Sequence, residues 1–178
     1  MRWISPAALL VLAACQRGDL PASSSSIEAS ASSGTGLERA AIESGVIEDS
    51  VRVSPVGLYQ RNHEAGRDAL CVIPGKGGDL RFGLEAEFGE EQSCRGRGTA
   101  RRAGDKLILS FSGGDHCIIV GQYDGDQLSI PGVVDMKCAD ICQGRGSLEG
   151  VSFPRIAGEA AAALQARDRR GDPLCDPT

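Results

Sequence analysis

The sequence predicts a mainly β domain, a small antiparallel up-and-down barrel or meander of seven or eight strands, with short N- and C-terminal helices. Two observations carry this expectation. From Leu80 to Pro131 apolar residues recur with a period of two, in segments joined by short turns rich in Gly and Asp. The 178 residues also include 24 Gly but only 4% aromatics. Such a core leans on aliphatic side chains, and Gly serves where strands bend or backbones approach closely.

Before the domain come two segments of different composition. Arg2 precedes an apolar run from Ile4 to Ala14 that ends in small residues, the order of a secretory signal peptide over residues 1–14. Leu12-Ala13-Ala14-Cys15 resembles the lipobox of bacterial lipoproteins. That resemblance implies that Cys15 is the lipidation site, and more than one acyl chain is what stable anchoring requires. Gln16 follows the Cys where members of that family retained at the inner membrane often carry Asp, so the resemblance implies an outer-membrane anchor facing the periplasm. Residues 15–36 are rich in Ser, Ala and Gly, with four serines running at Ser23–Ser26, and read as a flexible tether. Thr35-Gly36-Leu37-Glu38 matches a capping box opening a short helix through about Ser44, within a helix-and-linker segment at 37–50.

The β domain is expected over 51–154. Pro55–Tyr59 and Ala69–Ile73 are its first strands, joined by the polar loop Arg61–Arg67. Leu80, Phe82, Leu84, Ala86 and Phe88 then alternate with Arg81, Gly83, Glu85 and Glu87, which is how a strand with one buried face reads. In Cys94–Arg102 the inward positions are Gly96, Gly98 and Ala100, small enough to leave room for a ligand or for large neighbouring side chains. Lys106–Phe111 follows, and Cys117–Tyr123 with Gln127–Ile130 flank Asp124-Gly125, a hairpin signature. Gly146–Phe153 supplies a last strand with Val151 and Phe153 inward. Sequential hairpins favour closure into a barrel over a sandwich, because closure removes exposed edges. In the final segment, 155–178, Gly158–Arg170 carries Glu159 early and Arg167, Arg169 and Arg170 late, then Gly171, which reads as a helix followed by an irregular tail.

If Cys15 carries lipid, six cysteines remain: Cys71, Cys94, Cys117, Cys138, Cys142 and Cys175. An even number in an exported protein points to three disulfides, for which six cysteines allow 15 pairings. A local Cys138–Cys142 loop and a Cys175 link from tail to barrel are the expected pairs. A zinc site from Cys138, Cys142 and His116 lacks a second short-spaced pair, so no metal is expected.

The formal charge is −5, and −6 once residues 1–14 are removed, with 18 Lys and Arg against 24 Asp and Glu. An acidic chain is a poor candidate for nucleic-acid binding, and no apolar run approaches the length of a membrane-spanning helix. His63 sits in the polar loop and reads as a solvated turn residue. Asp115-His116 with Ser110 or Ser112 is the nearest approach to a hydrolase triad, but no Gly-x-Ser-x-Gly elbow exists. Gly96-x-Gly98 and Gly144-x-Gly146 lack the third Gly of a dinucleotide fingerprint, so no cofactor is expected. One cluster stands out. Arg95, Arg97 and Arg101 project from the same face of one strand, a basic stripe suited to an anionic envelope component such as lipopolysaccharide phosphates. The plainer reading sets Glu85 and Glu87 on the adjoining strand as their cross-strand partners.

These features point to a non-enzymatic envelope lipoprotein whose stapled β domain binds a ligand or protein partner at the membrane surface. A structural or assembly factor docking to another envelope protein is the alternative, and a hydrolase using His116 a third reading. In size, anchor and strand pattern the chain is similar to the small β-barrel lipoproteins that inhibit lysozymes, which places inhibition among the functions to weigh. A roomy barrel interior favours a small ligand, whereas a filled one favours a protein partner.

Overall fold

Nine strands form in the computed structural model, which describes residues 35–47, 49, 52–113 and 116–176. They are β1 (Gly57–His63), β2 (Gly66–Pro74), β3 (Leu80–Glu87), β4 (Ser93–Ala103), β5 (Lys106–Phe111), β6 (Ile118–Tyr123), β7 (Gln127–Ser129), β8 (Cys142–Gln143) and β9 (Ser152–Ala157). Consecutive strands from β1 to β7 pair antiparallel, β9 closes β7 onto β1, and β3 pairs with β4 across Leu80↔Ala100 to Glu87↔Ser93. The result is a closed eight-stranded up-and-down barrel. β8 is an extra strand added to the start of β4, with Cys94 opposite Cys142.

The alternation seen in the sequence is the alternation of burial. Leu107, Leu109 and Phe111 on β5, Ile119 and Tyr123 on β6, and Leu70 and Val72 on β2 point into the barrel and are buried. Phe153 faces inward as expected. β2 is buried on both faces. Its outward Ala69, Cys71 and Ile73 pack beneath Ala163, Ala166, Leu174 and Cys175, and this explains the unbroken apolar run Ala69–Ile73.

Four boundaries differ from the sequence expectation. β1 continues to His63 and β2 begins at Gly66, so the polar loop Arg61–Arg67 shrinks to a turn at Glu64-Ala65. The cause is Asp68, buried at the barrel end, which accepts from Arg61 Nε at 3.2 Å, bonds His63 Nε2 at 3.0 Å and accepts from the Glu87 amide at 3.0 Å. His63 is therefore a partner of a buried carboxylate rather than a solvated turn residue. β9 starts at Ser152 and runs to Ala157, past residue 154. The C-terminal helix is only α2 (Ala160–Leu164), and residues 165–176 fold back on the barrel wall. At the other end α1 (Gly36–Glu43) has Thr35 as its cap, with Thr35 Oγ1 accepting from the Glu38 amide at 3.3 Å.

Three disulfides join Cys71–Cys175, Cys94–Cys142 and Cys117–Cys138. The tie from Cys175 to the barrel is present. The expected local Cys138–Cys142 loop is not: a 3₁₀ turn over Met136–Ile141 buries Cys138 against Cys117, while Cys142 enters β8 beside Cys94. Cys15 lies outside the described residues.

Candidate functional site

The barrel interior is filled. Tyr59, Phe82, Leu84, Leu109, Tyr123 and Phe153 meet inside, with Phe82 and Phe111 edge-to-face at 4.9 Å between ring centroids. The small residues of β4 accommodate these neighbours. A Cβ added at Gly96 would come within 2.4 Å of the Phe111 ring. One barrel end is plugged by the Asp68 network. At the other, the carbonyls of four successive residues are held from inside: Val53 by Arg102 Nη1, Ser54 by the Tyr123 hydroxyl at 3.1 Å, Pro55 by the Tyr59 hydroxyl at 2.7 Å, and Val56 by Arg155 Nη2 at 2.8 Å. Arg102 also lies over the Tyr123 ring, 5.3 Å from its centroid. Burial, followed by the neighbouring Tyr123, pushes the Tyr59 hydroxyl well above its ordinary value, so it stays a donor to Pro55.

Two cavities lie on the outside of the barrel, flanking the folded-back C-terminal segment. One of about 520 Å³ is lined by Glu85, Ser93, Arg95, Asp140, Arg169 and Arg170 among others, and a neighbour of about 450 Å³ by Arg95, Arg97, Arg170, Asp172 and Asp176. Arg95 and Arg170 line both cavities, and both arginines are ion-paired with Asp168, whose side chain is fully buried. Its Oδ1 accepts from the amides of Arg170 at 2.9 Å and Asp172 at 2.8 Å, and its Oδ2 is ion-paired with Arg95 and lies 3.9 Å from Arg170 Nε. Burial works against its charge, but those two amides and the two guanidiniums together hold the Asp168 carboxyl below the usual carboxylate range. Glu85 moves the other way. Burial raises it, as do the nearby Asp168 and Glu87 charges, against the opposing Arg169 amide and Arg95.

The three arginines of the stripe therefore have different surroundings. They share an outward face, as the alternation requires. Arg95, however, is taken by Asp168, a residue more than seventy positions away. The cross-strand pairing with Glu85 and Glu87 is not formed. Glu85 stands opposite Arg95 in register but is buried and accepts from the Arg169 amide at 2.7 Å, and Glu87 stands opposite Ser93 and accepts from the Arg67 amide at 3.3 Å. Arg97 and Arg101 are exposed and have no ion-pair partner among the described residues.

The register adds a third arginine, half-buried, that the sequence did not single out. Arg81 on β3 stands opposite Thr99, on the face that carries Arg97 and Arg101. It too lacks an ion-pair partner among the described residues. Its place beside β4 depends on the β3–β4 register, which the intervening loop does not fix in sequence. Next to this basic face, across the ladder, Arg101 pairs with Ile108 and Ile108 with Val120, while Thr99 pairs with Ser110 and Ser110 with Ile118. Ile118 and Val120 remain 51% and 47% exposed. Among the described residues, the ladder rows from Arg81 to Val120 carry no carboxylate, on a chain whose charge is −5.

His116 is exposed and backbone-strained at φ 64°, and Asp115 lies outside the described residues. Cys138 and Cys142 are spent in disulfides with different partners. No family model, curated protein or solved structure matches the chain.

Proposed function

We propose that the chain is a non-enzymatic lipoprotein of the bacterial cell envelope, anchored by lipid on Cys15, that binds an anionic partner through the outer barrel wall at Arg81, Arg97 and Arg101. The observation that carries this reading is the basic wall at Arg81, Arg97 and Arg101, whose ladder rows hold no carboxylate among the described residues, on an acidic protein whose interior is filled. A packed interior directs binding to the outside. Guanidinium groups held on a rigid sheet suit phosphate or carboxylate in bidentate geometry, which Lys does not reproduce. No cofactor enters this function.

The test is a variant carrying R81Q, R97Q and R101Q. It should melt within a few degrees of the wild type, lose affinity for lipopolysaccharide, and lose the salt dependence that exposed charges confer through screening over about 8 Å at physiological ionic strength. Equal binding by both proteins at low and high salt contradicts the reading. The anchor is tested separately, by incorporation of labelled fatty acid into the wild type and its absence in Cys15→Ala.

A second reading, docking to another envelope protein, is favoured by Val133 and Met136. These apolar side chains are 80% and 90% exposed on a loop braced by the Cys117–Cys138 and Cys94–Cys142 bonds. A braced loop loses little entropy on binding.

A further inference from the structure

Resting on the reading that the basic wall binds anions, we infer that its partner is the surface of a bilayer containing anionic phospholipid, with the arginines on lipid phosphates and the flanking aliphatics in the acyl boundary. Two features of the wall lead there. The charges and the apolar side chains are segregated by strand: Arg81, Arg97 and Arg101 lie on β3 and β4, and Ile108, Ile118 and Val120 on β5 and β6. Surfaces that rest in a membrane interface combine these two elements, since their binding scales with buried apolar area plus attraction to anionic lipid. A soluble anion would use the arginines and leave two half-exposed β-branched residues with nothing to contact.

The charge is also complementary in a specific way. Two acidic groups beside β4 are withdrawn from the wall, while Asp172 and Asp176 border only its Arg97 end, around the cavity they share with that residue. Glu85 is buried beneath the C-terminal segment and Asp168 is enclosed between Arg95 and Arg170. Among the described residues, the ladder rows from Arg81 and Arg101 across to Ile118 and Val120 therefore present cations and aliphatics and no carboxylate to a negative surface. Arginines near such a surface each add attraction that fades within a Debye length.

The test is co-sedimentation of the full chain carrying Cys15→Ala, so that no acyl chain contributes, with vesicles of phosphatidylglycerol and phosphatidylcholine against vesicles of phosphatidylcholine alone. The gain from phosphatidylglycerol is the readout, because apolar contributions from residues 1–14 appear with both. Inorganic polyphosphate serves as the soluble anion. The expected result is a gain that falls at least tenfold in R81Q/R97Q/R101Q and at least threefold in I118T/V120T, a pair that keeps β-branched residues on the strand. Polyphosphate binding should be weak and unchanged in I118T/V120T. An undiminished gain in I118T/V120T overturns the inference, as does polyphosphate binding as tight as vesicle binding. If the wild type shows no gain but binds polyphosphate through the three arginines, the bilayer is not the partner and the anion-binding reading stands. If R81Q/R97Q/R101Q matches the wild type on every probe, both fail.

Discussion

Replacing Asp168 by Asn isolates one interaction, because Asn keeps an Oδ1 to accept from the amides of Arg170 and Asp172 and removes only the charge that faces Arg95. Breaking a buried ion pair by neutralising one partner costs about 3–5 kcal/mol. Arg95 keeps 27% of its side chain exposed while Asp168 keeps none, so the lower end applies, about 3 kcal/mol. That is a large part of the ~5–15 kcal/mol that stabilises an ordinary domain, and it lowers Tm by roughly 10 °C in a chain of this size. Asp168→Ala should cost about 2 kcal/mol more, for two lost hydrogen bonds at ~1 kcal/mol each. Arg95→Gln in the Asn background should recover part of the loss, since it removes the stranded cation. The pH dependence has a definite sign. The Asp168 carboxyl is held below its unfolded value of about 3.9, so its contribution is complete above that pH and disappears as pH falls through the lower folded value. Urea unfolding at pH 7 and at progressively lower pH measures both. A pH 7 loss below about 1 kcal/mol, the worth of an exposed pair, or a difference from wild type that does not shrink in acid, would refute the role given to Asp168.

Glu85→Gln should be neutral or stabilising at pH 7, because burial penalises the ionised form while Gln still accepts from the Arg169 amide; its advantage should shrink as pH falls through the raised carboxyl value and the wild type becomes neutral, which thermal melts across that range will show. Cys71→Ser with Cys175→Ser opens a link across 104 positions and should cost up to about 4.7 kcal/mol by loop entropy, measured by denaturant midpoint. Gly96→Ala drives a methyl into the Phe111 ring and should cost about 1–3 kcal/mol; a Tm equal to wild type would show that the interior has slack. The mature protein should show no free thiol on titration under denaturing, non-reducing conditions.

The barrel was legible because alternation is a local property. Each of Leu107, Leu109 and Phe111 declares its face without reference to any other strand. What was hidden depends on residues distant in sequence. Glu85 and Glu87 alternate outward and read as cross-strand partners of the arginines, yet the C-terminal segment covers Glu85, and nothing near Glu85 in the sequence announces it. That segment reads as one helix by its acid-first, base-last pattern. Its second half is diverted because the Asp168 side chain takes the amides of Arg170 and Asp172, a side-chain bond that competes with helix. The local cysteine pair failed in the same way, although the Cys175 tie held: Cys138 and Cys142 are four positions apart, but a 3₁₀ turn sends one to Cys117 and the other to Cys94. The basic stripe was half legible. Its face follows from the period of two, whereas the loss of Arg95 to Asp168 and the gain of Arg81 follow from docking and register.

The most direct test of binding through the outer wall is residue-level mapping by NMR of backbone amides as the isotopically labelled protein is titrated with phosphatidylglycerol nanodiscs. The expected result is a contiguous set of perturbed amides on β3, β4, β5 and β6 around Arg81, Arg97, Arg101 and Val120, with Leu70, Leu84 and Phe153 in the interior unchanged. Perturbations centred on the interior residues, or confined to the loop carrying Val133 and Met136, would contradict it.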